Sequence, residues 1–186
     1  MYAQTQAAPI RPSNGIGPGI GDSPRHAAMR RSCAMRGRYA ASQALEAFII
    51  SSAPPHYATP DAPDTLEKLR AAAALGGPLP VFDGGCDETI YSSPEINHAF
   101  RAWHDTLHLL HGAAFDLEGE HALALEHDRL AESAGLGLED RQALWCDLYG
   151  QAVYAANHGG AFPEDQAAFV FAAMRDGVDA AALRDF

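Results

Sequence analysis

His104 and His108 are four residues apart, the spacing that stacks two imidazoles on one face of a helix where both reach a single metal ion. Glu120 and His127 follow, and at 100° per residue Glu120, Ala124, His127 and Ala131 share one stripe of a second helix. Two imidazoles from one helix and a carboxylate or third imidazole from its neighbour make a three-ligand site with a free position. Zinc is the first choice, and another divalent transition metal suits the same donors. His104, His108 and Glu120 are therefore the expected ligands, with His127 a third or fourth ligand or a group behind them. If a position stays free, a water there becomes the nucleophile and Asp105 the expected general base, which makes the chain a metal-dependent hydrolase. If His127 closes the site as a fourth ligand, the metal is structural. Histidines at a core edge or at an interface, satisfied by Glu120 or by backbone groups, produce the same pattern. In that case the chain is a non-enzymatic structural or interaction protein.

The run His104-Asp105-Thr106-Leu107-His108 resembles the H-E-x-x-H helix of zinc metallopeptidases. That resemblance implies zinc on the two histidines and a water activated by the acid next to the first. Asp105 stands where that family has Glu and is one methylene shorter. Glu120 follows the second histidine by 12 residues, nearer than in the thermolysin-like pattern. The His104-Asp105 pair also resembles the H-D step of metal-dependent phosphohydrolases, whose order is H…HD…D. His56 or His98 and Asp116 or Asp128 would take the outer places, although His98 is only six residues upstream. Each likeness covers a handful of residues.

These side chains need two helices to hold them. Ser92 or Ser93 can cap the first, Pro94 fits its first turn, Glu95 suits its positive end and Gly112 can take the left-handed position after it, so it spans about 94–111. Its apolar stripe is Ile96, Ala99, Phe100, Trp103, Leu107 and Leu110. Asn97, Arg101, His104, His108 and His111 border that stripe instead of opposing it, the place for a cleft or a helix interface. The second helix covers about 118–134 and ends at Gly135. A short connection makes the two antiparallel, and reflection about residue 114 or 115 sets Glu120 and His127 toward the histidine pair.

Elsewhere the apolar period predicts helices over 38–52, about 63–75, 138–157 and 163–175, with a short one from Val178. Pro78 to Phe82 and Thr89 to Tyr91 read as short extended pieces around the turn-forming Asp83 to Asp87. The expected fold is mainly α: a bundle-like domain of five to six helices over 38–186, with at most a small β-hairpin. Residues 1–37, rich in Pro and Gly and without apolar period, are expected to be a disordered arm whose removal through residue 34 leaves the fold intact.

Composition narrows the classes further. The 186 residues carry a formal charge of −11 and nine histidines, six of them between His98 and His127. Residues 1–38 have six arginines against Asp22 alone, whereas the rest carries seven basic and 23 acidic side chains. An acidic core repels phosphate backbones, so nucleic acid is excluded as its partner; the Arg-rich arm could contact an acidic partner. No segment has the length and apolarity to span a bilayer, and no secretory leader is evident. Three widely spaced cysteines, Cys33, Cys86 and Cys146, suit a reducing cytoplasm, and Cys86 and Cys146 read as buried spectators. The substrate, a small molecule or a peptide, is not specified by any motif.

Overall fold

The computed structural model describes residues 21–186. Helix α1 (Pro24–Met35) is followed by α2 (Gln43–Ser52), strand β1 (His56–Thr59), α3 (Leu66–Ala74), β2 (Leu79–Phe82), α4 (Pro94–His111) and α5 (Leu117–Ser133). A long run then comprises α6 (Leu138–Trp145), a π-helical turn (Cys146–Gly150) and α7 (Gln151–Asn157). The chain closes with α8 (Gln166–Asp176) and α9 (Val178–Ala181). The fold is mainly helical, as the apolar periods require.

α4 is the element around which the others are arranged. It packs on α2, on α3 and the small sheet, and on α5. Phe100, Trp103 and Leu107 from its apolar stripe meet Leu45, Phe48 and Ile49 of α2 and Leu123 of α5 in one core. Trp103 takes the edge-to-face arrangement with Phe48 at 5.1 Å between centroids, the geometry that aromatic quadrupoles favour. Truncating a side chain as buried as Trp103 costs about 3–5 kcal/mol. Among the described residues no helix is long and apolar enough to cross a membrane.

The extended segments differ from the expected hairpin. Leu79–Phe82 pairs in parallel with His56–Thr59, and α3 supplies the crossover that a parallel pair needs. Thr89 to Tyr91 is not a strand; the Ile90 carbonyl instead accepts the Ala41 N–H at 2.8 Å.

Of the arm expected over 1–37, residues 1–20 lie outside the described residues, and most of the remainder is helix α1. Ser23 accepts the His26 N–H and Pro24 opens the first turn. Long-range contacts then fasten the helix. Asp22 accepts the Gln43 N–H at 2.9 Å, and the buried His26 places Nε2 2.7 Å from the Ala41 carbonyl oxygen. Arg30 pairs with Asp22 and Glu139, and Arg38 with Glu88 and Asp165. Part of this basic segment is therefore neutralised by acids of its own chain.

Candidate metal centre

The entry to α4 is fixed from another helix. Ser93 is the N-cap but makes no side-chain capping bond; instead the backbone N–H and hydroxyl of Ser92 both donate to the buried Glu46 of α2, at 2.7 and 3.0 Å. Gly112 takes the left-handed conformation at φ 66°, as its position after the helix predicts. Asp116 then caps α5 by accepting the Gly119 N–H at 2.8 Å. A Cβ on Gly119 would overlap the Ala114 carbonyl oxygen, so only glycine lets the loop fold back on this turn.

The connection brings His104, His108 and Glu120 together, with one ligand atom from each lying within 4.8 Å of the others. The two Nε2 atoms are 2.9 Å apart. Glu120 presents one oxygen 3.2 Å from His104 Nε2 and the other 3.3 Å from His108 Nε2. His108 is fully buried, with Phe115 edge-on at 4.2 Å, whereas the side chains of His104 and Glu120 keep 16% and 18% of their surface exposed. Solvent therefore reaches the cluster from one side.

Proton bookkeeping makes the cluster an electron-rich one. His108 Nδ1 is 2.9 Å from the Ala113 carbonyl oxygen, which only accepts, so Nδ1 carries the proton and a neutral His108 turns a lone pair toward Glu120. Burial pushes the Glu120 carboxyl up, but hydrogen bonds from His104 and His108, the latter donating only when both its ring nitrogens carry protons, outweigh it and hold the group down to about 2. An ionised carboxylate facing an imidazole lone pair requires a cation between them, a proton or a metal ion. Burial works against charging His104, yet the hydrogen bond and charge of Glu120, with the charge of Asp105, raise its pKa. A buried imidazole ligand whose other nitrogen donates to a backbone carbonyl is the usual arrangement around a bound metal.

His127 is placed differently from a ligand. Its Nε2 lies 3.2 Å from His104 Nδ1, behind the ring, so it is not among the converging ligand atoms. Trp103 stands edge-on to it at 4.0 Å, and its own Nδ1 is buried with no hydrogen-bond partner among the described residues. Burial, then the charge of His104, keeps its pKa well below the usual histidine value. Asp105 also stays outside the convergence. Burial pushes its carboxyl up to about 6, against the pull of His104 and His108.

Other polar residues of α4 and α5 take roles that spacing did not reveal. Arg101 donates to the carbonyls of Phe82, Gly84 and Gly85 and so pins the 82–86 loop, and among the described residues it pairs with no acid. His111 is exposed, 3.9 Å from Glu126, and His121 packs edge-on to Trp145 and Tyr149. His98 meets Cys86, a contact across a loop that leaves no periodic signal. Compared with family models, curated proteins and solved structures, the chain finds no match, and the site is read from its own geometry.

Proposed function

We propose that this chain binds one divalent transition metal, zinc first, through His104 Nε2, His108 Nε2 and a Glu120 oxygen, and that the centre is hydrolytic. The supporting observation is the convergence of three lone-pair donors from α4 and α5 with His127 behind them. Three protein ligands leave a position free, and when bound there such an ion polarises a water. Asp105, a half-buried carboxylate adjoining the first ligand, is the group assigned to accept the proton. His104 and Glu120 keep that side accessible to a small substrate. Free cysteines at 33, 86 and 146 suit a reducing compartment, and the reading places the protein in the cytoplasm.

The test is the metal content of full-length protein made without a histidine tag in zinc-supplemented medium. About one metal ion per chain is expected, with melting lowered by a chelator, and both effects lost in the double variant His104→Ala, His108→Ala. Metal-free protein whose melting ignores chelator and both substitutions would overturn the reading and leave the histidines as helix-interface groups.

A further inference from the structure

We infer that Cys86 is a reactive thiol, assisted by His98 and open to oxidation by small hydroperoxides. Cys86 lies in the loop before α4, and its sulfur is 3.4 Å from His98 Nε2 and 3.3 Å from the side-chain amide nitrogen of Asn97, which donates to it. Asn97 is 3% exposed, so this donor is fixed by packing. Cys86 and His98 are only partly buried and can meet a small reagent.

The loop is also held in place. Arg101 grips the carbonyls of Phe82, Gly84 and Gly85, and Gln166 donates to Gly85 at 3.4 Å. A permanent cation therefore sits against the peptide units that precede the cysteine. Asn97 and His98 themselves lie one turn into the 18-residue α4, toward its positive end. The thiol also lies 3.4 and 3.5 Å from the carbonyl oxygens of Asp83 and Gly84, to which it can donate; an adjacent imidazole, an amide donor and partial exposure are the surroundings in which a cysteine reacts.

The other two thiols provide internal comparisons. Cys146 is buried, and burial together with the nearby Asp147 pushes its pKa up to about 12. Cys33 is half-buried on α1, and among the described residues no histidine contact is recorded for it.

The reaction balances without a metal. As the sulfur attacks one oxygen of the hydroperoxide, its proton passes to His98 Nε2, an S–O bond forms and the O–O bond breaks. The sulfur gives up two electrons to the departing oxygen, which takes the proton back from His98. The products are the sulfenic acid and water, or an alcohol if the oxidant is organic. This inference is independent of the metal reading.

The experiment uses the full chain, treated with chelator, exposed to substoichiometric hydrogen peroxide and then to a dimedone trap, with adducts mapped by peptide mass spectrometry. Cys86 is expected to trap at least about tenfold faster than Cys33, with Cys146 unlabelled. His98→Gln should slow Cys86 by about tenfold while leaving Cys33 unchanged. Equal rates at Cys86 and Cys33 in the wild-type chain overturn the inference without any variant, and so does an unchanged Cys86 rate in a folded His98→Gln protein.

Discussion

His127 Nε2 stands 3.2 Å from His104 Nδ1, on the opposite nitrogen of the ring from the one that faces Glu120. For His104 to offer a lone pair at Nε2 its proton must sit on Nδ1, and a neutral His127 accepts it there. The proton of His127 then lies on its unpartnered Nδ1, a buried donor that costs free energy.

Replacing His127 should therefore separate stability from affinity. His127→Leu is expected to leave the metal-free protein as stable as before or more so. Zinc affinity should fall by about ten- to a hundredfold, the usual effect of losing a group that orients a ligand. Competition against a chromophoric chelator measures the affinity, and thermal melting in chelator the stability. Unchanged affinity would mean that His104 needs no orienting partner.

Asp105→Asn tests the hydrolytic assignment. Metal content should be retained, because Asp105 is not among the converging atoms. Hydrolysis of a panel of activated esters and phosphodiesters by the zinc-loaded chain should fall by about a hundredfold or more, the scale of a general base. A variant as active as the wild type removes Asp105 from the chemistry.

A pH prediction comes from a buried acid away from the metal ligands. Asp147, in the π-helical turn, accepts from the Tyr91 hydroxyl and the Gln151 amide, each at 2.7 Å. Burial pushes its carboxyl up to about 6 in spite of those two bonds. The folded state thus holds this proton more tightly than the unfolded chain. Its stabilising contribution is complete below 3.8, declines as pH rises toward about 6 and is constant above that. Relative to Asp147→Asn, the wild type should lose roughly 2–3 kcal/mol between about pH 4 and pH 7 in urea unfolding. A difference that does not vary with pH would show that the acid is solvated.

Deletion of residues 1–34 should lower the melting temperature, contrary to the expectation from composition. It removes Asp22 from Gln43, His26 from Ala41 and Arg30 from Glu139. The two buried or half-buried bonds contribute about 1 kcal/mol each, and the exposed Arg30–Glu139 pair adds little. Unchanged melting would mean that α1 contributes nothing to the rest of the fold.

The difference between α4 and α1 shows what the sequence could and could not carry. α4 was legible to the residue because Pro94 and Gly112 mark its two ends locally, even though Glu46 of α2 and not a Ser93 side-chain cap holds its entry. The His104 and His108 pair and its meeting with Glu120 followed from helical spacing and a short connection. α1 has no apolar stripe, and its anchors lie 15 to 109 residues away. β1 is four residues long and finds its partner only after α3. Cys86 reaches His98 and Asn97 by a loop return, and the π-helical turn buries Asp147 through packing. Contacts of that kind have no period to read.

Gly119 contributes no side chain to the centre, yet it governs the direction in which His108 presents its electrons. The missing Cβ lets the Ala113 and Ala114 peptides settle on the first turn of α5, where the Ala113 carbonyl holds the proton of His108 on Nδ1. A methyl group at 119 would lift that peptide and release the imidazole to its other tautomer, with N–H aimed at the place meant for a cation. In the proposed centre, the preference for a metal over a proton would thus depend on a hydrogen atom in the backbone beside Glu120.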